Sequence, residues 1–324
     1  MSSYTCTHST KMAITQDTES KFVTLPATAP VKDILEVLHR DGVIVLSDYC
    51  SEDEVDQWNA KAEHHFAKAE NAGRDKDSFF KGFRASHTTA AYDLIGSCPE
   101  EVSKILQRKV WHQVMEEFLA HEMWDWLGEE KVTRKSGYWL HTSIGYKVGP
   151  GAGLQVLHRD INSTAIQRTG PESWVNGVST FVAGCDVTAD NGGTHVAPGS
   201  HLWPQDRAPK QEDCVAVEMK KGSLAIWLSS IFHGAGANIL DPSHPDAFRT
   251  IYGFFACSDN FRQGEITALA CKPEDFMKMP PEVLRLLGFY KGRTGGGALA
   301  GRDPIETWSG LQGYNGGEWK YQEE

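Results

Sequence analysis

Val215-Ala216-Val217-Glu218-Met219 is followed by Lys220-Lys221-Gly222 and then by Ser223-Leu224-Ala225-Ile226-Trp227-Leu228. Each apolar run is too short for an ordinary helix and ends at a turn former, which is how a buried strand reads. Working outward, runs of the same kind recur at 138–146, 154–160, 178–187 and 248–257, separated by Gly, Pro, Asn and Asp. That spacing predicts an antiparallel barrel or sandwich over residues 136–272.

The flanks read differently. Residues 1–22 are rich in Ser and Thr and are expected to be disordered. Val31 to Arg40 predicts a helix and Val43 to Leu46 a strand. Ser51-x-x-Glu54 is a capping box opening a helix to about Ala69. Its Val55, Trp58, Ala62, Phe66 and Ala69 keep helical spacing and are read as core. Residues 72–92 are irregular, with Phe79, Phe80, Phe83 and His87 gathered in a polar loop. A second long helix is expected from Pro99 to Trp126, with Pro in its first turn. Helix returns at Pro281 to Leu287, before a Gly-rich tail that includes Gly295-Gly296-Gly297. The expectation is one domain over 23–324: helices in 31–126, a β-core in 136–272, and a helical cap and tail in 273–324. The fold class is mainly β with flanking helices.

Composition narrows the function. A chain of 324 residues with 40% hydrophobic residues has ample core, and a net charge of -11 argues against nucleic acid or an anionic membrane as partner. The seven cysteines include no Cys-x-x-Cys pair. Met1 to Asp17 lacks the apolar core of a signal peptide, and no apolar stretch reaches membrane-spanning length. Reduced thiols and a cytoplasmic location are expected.

Three His-x-Asp triplets occur. His39-Arg40-Asp41 closes a helix before Gly42, where His and Arg suit the negative end of the dipole. His244-Pro245-Asp246 sits in a Pro-rich loop. Only His158-Arg159-Asp160 lies in a predicted strand, where alternation puts His158 and Asp160 on one side. His233 follows the run at 223–228, and Arg249 opens the next. Two neutral imidazoles and one carboxylate on one face of a metal, the other face open, is the ligand set of non-haem Fe(II) oxygenases. The planar Arg249 guanidinium suits a carboxylate held by paired hydrogen bonds, though a strand-end ion pair is the plainer alternative. His201, in Pro198-Gly199-Ser200-His201, is read as a turn histidine. A protein-kinase reading of His158-Arg159-Asp160 fails, because Ala165 stands where that catalytic loop has Asn and no Asp-Phe-Gly follows.

Leu157-His158-Arg159-Asp160, Asn191-Gly192-Gly193-Thr194, Pro198-Gly199-Ser200-His201, Lys221-Gly222-Ser223 and His233 followed by Arg249 resemble the phytanoyl-CoA dioxygenase-like family of Fe(II)/2-oxoglutarate oxygenases. The likeness runs over roughly residues 30–290. Gln155 and Leu286-Leu287-Gly288-Phe289-Tyr290 resemble its fungal natural-product branch (meroterpenoid and alkaloid biosynthesis). The resemblance implies a double-stranded β-helix, the jelly roll also seen in cupins. It implies His158, Asp160 and His233 as iron ligands, and Arg249 on the distal carboxylate of 2-oxoglutarate with Gln155 and Thr194 near its other end. The loop from Asn238 to Phe248 is longer than usual in the family. Asp160 disfavours the halogenase variant, which loses that carboxylate.

The implied reaction consumes O2 and 2-oxoglutarate, releases succinate and CO2, and oxidises a C–H bond by hydroxylation, desaturation, epoxidation or rearrangement. The expected substrate is a mostly apolar small molecule, a polycyclic secondary metabolite rather than a coenzyme A thioester. Phe79, Phe83, His87, Tyr138 and Tyr146 are candidate walls of its pocket, with simple packing of the helices on the barrel as the alternative. A metal isomerase or epimerase of cupin type and a catalytically silent binding protein are the rival readings, and a homodimer is left open. A structural zinc module fits poorly, since no Cys stands in either ligand motif.

Overall fold

The computed structural model describes residues 22–72, 86–160, 175–270 and 272–306. Strand β1 (Thr24–Pro26) leads into helix α1 (Val31–Asp41), strand β2 (Val43–Ser47) and the long helix α2 (Glu52–Ala72). Gly42 ends α1 at φ +73°, a left-handed conformation that glycine reaches without strain. The capping box at α2 is made in both directions: Glu54 N–H donates to Ser51 Oγ at 3.2 Å, and Ser51 N–H donates to a Glu54 carboxylate oxygen at 2.9 Å. Phe22 is buried against the inner core.

Past strand β3 (Thr88–Tyr92) come helices α3 (Leu94–Ser97), α4 (Pro99–Leu106) and α5 (Lys109–Leu119), then strands β4 (Glu122–Leu127) and β5 (Glu130–Lys135). The single helix expected from Pro99 to Trp126 is therefore two helices and a strand. The chain extends at Arg108 (ψ 126°) and again at Ala120 (ψ 90°), which breaks the helical ladder twice. The Glu122–Leu127 segment finds β partners across a two-residue turn, where Gly128 supplies φ +65°. Local helical texture loses to strand pairing there.

The remaining strands are β6 (Tyr138–Val148), β7 (Gly177–Ala183), β8 (Thr194–Val196), β9 (Val215–Ala216), β10 (Leu224–Leu228), β11 (His233–Ala235) and β12 (Arg249–Ser258). Short helices α6 (Thr267–Ala270), α7 (Pro273–Phe276) and α8 (Pro281–Leu286) follow. A seven-stranded sheet has the order β1-β2-β10-β7-β12-β6-β3, antiparallel except where β1 joins β2. A smaller sheet, β11-β8-β9, faces it and completes a jelly roll. The predicted strand at 154–160 is reduced to one bridge, His158 to His233.

Alternation divides the large sheet between two cores. Tyr252, Phe254, Val178, Val182, Leu224 and Ile226 face outward, where α2 and α5 cover them with Trp58, Phe66, Trp111 and Met115. Trp58 stacks on Tyr252 with ring centroids 3.9 Å apart. Ile251, Phe255, Phe181, Ala183, Ala225 and Trp227 face the interior of the roll together with Ile144 and Val196. That inner face carries the site.

Candidate metal centre

His233 opens β11, paired with Val196 of β8, and its side chain shares the interior face with that valine. His158 lies opposite His233, each backbone N–H donating to the other's carbonyl at 2.9 Å. Two residues further on, Gln155 N–H donates to the Ala235 carbonyl at 2.9 Å. Three steps on one strand thus oppose two on the other, which is a bulge. Regular strand alternation is thus interrupted between Gln155 and His158. The Gln155 side-chain oxygen, however, accepts from Ala235 N–H at 3.0 Å, which ties that side chain to the backbone of β11. Gly234 allows this approach: a Cβ there would come within 2.8 Å of the Gln155 carbonyl oxygen.

Donor atoms of His158, Asp160 and His233 all lie within 4.8 Å of one another, and among the described residues no other cluster of this kind occurs. His158 Nε2 is 3.6 Å from Asp160 Oδ1, and His233 Nε2 is 3.5 Å from Oδ2. Each imidazole has its Nδ1 against a carbonyl, Val156 at 2.9 Å for His158 and Ile231 at 3.2 Å for His233. A carbonyl accepts only from Nδ1–H, so Nε2 carries the lone pair that a metal requires. Burial holds His233 below the ordinary imidazole range despite the pull of Asp160. Burial would raise the Asp160 carboxyl, but the His233 and His158 imidazoles and the Ser179 hydroxyl outweigh it and hold it at about 2. Neutral imidazole beside ionised carboxylate is the protonation state a metal needs.

Arg159, between the two donors, turns away from them. Its guanidinium donates to Ser230 and Ser200 carbonyls at 2.7 and 2.8 Å and lies 3.9 Å over the Phe232 ring. It pins the His-x-Asp segment to the loop that delivers His233.

Arg249 shares the inward face with Ile251 and Phe255 and is only 1% exposed. Its Nε and Nη1 have no hydrogen-bond partner among the described residues, and none of these forms the strand-end ion pair with it. Burial lowers its pKa to about 10, which leaves it a cation at neutral pH. A buried, unpaired cation is costly, and an anionic ligand that binds both nitrogens offsets the cost. The loop before it is anchored by Asn238, whose side chain donates to Ala247 and Val148 carbonyls at 2.8 and 3.3 Å.

Other predicted positions are distributed unevenly. Thr194 lies on the inward side of β8, opposite Ala235. Tyr146 faces the interior, its ring 6.3 Å from Phe181. Tyr138 does not: it packs on the outer core with its hydroxyl 3.0 Å from His112 Nδ1, because it lies beyond the β6 irregularity opposite Phe255 and Ala256. His87 is exposed at φ +58° beside the edge strand β3, outside the cluster. Phe79, Phe80 and Phe83 lie outside the described residues. His201 is buried, with Nε2 3.1 Å from the His39 carbonyl, and serves the fold. Ser179, Asn238 and Trp227, whose ring is 5.3 Å from His233, carried no sequence signal of a role.

A jelly roll that gathers two imidazoles and a carboxylate on its inner face has the build of a non-haem metal oxygenase. The chain belongs to the phytanoyl-CoA dioxygenase (PhyH) family, whose description matches residues 38–241. Dioxygenase swnH1 of Arthroderma benhamiae is 31% identical over 289 residues, which is 87% of this chain and 90% of that protein. Dioxygenase swnH1 of Metarhizium robertsii is 30% identical over 301 residues, again 87% and 90%. Both are fungal, as Gln155 and the 286–290 motif led us to expect. EctD from S. alaskensis, solved with 2-oxoglutarate and 5-hydroxyectoine, superposes with a TM-score of 0.51 at 19% identity over 71% of this chain and 77% of its own. HygX from Streptomyces hygroscopicus, solved with nickel, 2-oxoglutarate and hygromycin B, gives 0.51 at 14% identity over 72% and 89%. These two share the fold. The chain is an Fe(II)/2-oxoglutarate-dependent oxygenase. Among the described residues, no helix is long and apolar enough to cross a membrane.

Proposed function

We propose that His158, Asp160 and His233 ligate the iron, that Arg249 holds the distal carboxylate of 2-oxoglutarate, and that Gln155 and Thr194 bind near its other end. The observation that carries this reading is the convergence of the three donors on the face that also buries the unpaired Arg249 guanidinium. Bound iron supplies the oxidising power, coupling decarboxylation of 2-oxoglutarate to succinate and CO2 with oxidation of a C–H bond by O2. The chain's own residues do the rest. The bulge and the Arg159 clamp preorganise His158 and Asp160, and the carbonyls of Val156 and Ile231 set the tautomers. Arg249 orients the keto acid, and the interior walls exclude water.

Those walls point to the substrate class. Phe181, Phe255, Trp227 and Tyr146 make the interior aromatic. A mostly apolar small molecule fits them, and we take it to be a polycyclic secondary metabolite that undergoes hydroxylation, desaturation, epoxidation or rearrangement. The test is anaerobic titration of apo-protein with Fe(II) and 2-oxoglutarate, watching for the weak visible charge-transfer band of a chelated keto acid. A band that needs both components and is lost in His158→Ala is expected. Folded, iron-loaded protein without a band would overturn the keto-acid assignment and favour a metal isomerase, which yields no succinate.

A further inference from the structure

Each presumed iron ligand has a second atom that needs a partner. For the histidines it is Nδ1, and a backbone carbonyl meets it. For Asp160 it is whichever carboxylate oxygen does not face the metal, and the imidazoles do not choose between the two: Nε2 of His158 is 3.6 Å from Oδ1 and Nε2 of His233 is 3.5 Å from Oδ2. Nothing in the histidine geometry therefore prevents both oxygens from turning to one ion.

Ser179 breaks the tie. Its hydroxyl donates to Asp160 Oδ2 at 2.9 Å. The residue sits in the middle of β7, fully buried, with Trp227 of β10 and Phe255 of β12 as its cross-strand neighbours. A hydroxyl between two aromatic side chains has little else to bond, and leaving it unmet is costly. Cross-strand neighbours on the same face also hold its side chain in place. Asp160, by contrast, follows an irregular stretch held by the bridge at His158 and the Arg159 hydrogen bonds rather than by a strand ladder. The rigid partner here is the serine.

We propose that Ser179 is a positioning residue that keeps Asp160 a one-oxygen ligand, so that three positions on the iron stay open. This rests on the ligand assignment above. Six positions suit two imidazoles, one carboxylate oxygen, the two donor atoms of a chelating keto acid and one for O2. A carboxylate bound through both oxygens takes the position the keto acid or O2 requires. By holding Oδ2 in a hydrogen bond, Ser179 reserves Oδ1 for the metal and sets the carboxylate's tilt. Substitution of such outer partners costs about 10- to 100-fold in metal affinity in comparable sites.

The experiment compares wild type, Ser179→Ala, Ser179→Thr and Asp160→Ala by anaerobic calorimetry with Co(II), followed by the Fe(II)/2-oxoglutarate visible band. Far-UV circular dichroism and Tm serve as controls for folding. Ser179→Ala is expected to lose about 10- to 100-fold in Co(II) affinity and to shift or weaken the band, whereas Ser179→Thr, which keeps a hydroxyl, recovers both. Should Ser179→Ala not fold, Ser179→Cys, close in volume but a weak donor, is read the same way. Wild-type affinity and band in Ser179→Ala would overturn the proposal. So would equal impairment of the Thr and Ala variants, which would make the effect one of packing. Asp160→Ala separates the two layers: if it binds Co(II) like wild type, the ligand assignment itself falls.

Discussion

A buried guanidinium tolerates its position only if something compensates it. Among the described residues no acidic side chain lies against Arg249, and the Cys185 thiol is the group that acts on its charge. A charge-assisted hydrogen bond is worth about 1.5–3 kcal/mol, so Arg249→Ala should weaken 2-oxoglutarate binding roughly 10- to 150-fold. Metal affinity should stay near wild type, and Arg249→Lys should recover little, since an ammonium cannot present two parallel donors. Isothermal titration with each component separates the two effects; equal losses of metal and keto acid would indicate a structural role. Protons compete at the same site. Because burial keeps His233 below its unfolded value, metal affinity should be level above about pH 7 and fall as pH drops below the ordinary imidazole pKa of about 6.5. The sign for stability is the same. In that window the unfolded chain binds more protons than the folded one, so the His233 contribution to stability falls as pH falls. Co(II) titrations between pH 8 and 5.5 would test this, and a loss that begins well above pH 7 would implicate another group.

At the scale of elements, the site joins strand positions to segments that are not regular strands. The bulge between Gln155 and His158 sets three steps of this segment against two of β11, and Gly234 leaves room for it. The long connection before Arg249 is tied down through Asn238, buried to 1% exposure. Asn238→Ala leaves the Val148 and Ala247 carbonyls without that donor and should cost about 1–3 kcal/mol in stability. Its functional signature should be a raised 2-oxoglutarate KM with metal binding unchanged, because Arg249 follows directly on the anchored loop. An increase in the metal Kd instead would place the loop's influence at His233. The corrected helix at Pro99–Trp126 belongs to the same scale. Its residues have helical texture almost throughout, and the break appears only because Glu122–Leu127 finds Glu130–Lys135 to pair with.

For the molecule as a whole, the large sheet is a wall between two cores with different duties. Helices α2 and α5 seal its outer face, and Trp111 is the bulkiest wholly buried side chain there, its indole N–H 3.4 Å from Thr180 Oγ1. Trp111→Ala should cost about 3–5 kcal/mol, read as a lower urea midpoint, while folded protein keeps wild-type Co(II) affinity. Weaker Co(II) binding by folded variant would mean that the outer packing sets the inner geometry. Across that wall, Ser179, Phe181 and Ala183 carry the site while Val178, Thr180 and Val182 meet the helices. One strand thus serves both cores by its period of two.

The antiparallel core and the grouping of His158, Asp160 and His233 were legible in the chain, because each depends on local pattern or on a residue type whose chemistry has few uses. Ser179 and Asn238 were not. A serine in a strand or an asparagine in a loop has many ordinary roles, and only a partner remote in sequence gives either a particular one. Tyr138 and Tyr146 show the same limit within one strand. Their even spacing predicts a common face, yet the irregularity opposite Phe255 and Ala256 sends Tyr138 outward and leaves Tyr146 inside. Sequence by itself determined the architecture class and the reactive groups, since apolar periodicity and donor chemistry are properties of short segments. Only tertiary structure decided that Arg249 is buried without an acidic partner among the described residues, that the Gln155 side chain meets Ala235, and which oxygen of Asp160 the Ser179 hydroxyl meets. Each of those depends on distances between segments far apart in the chain, and no local pattern encodes them.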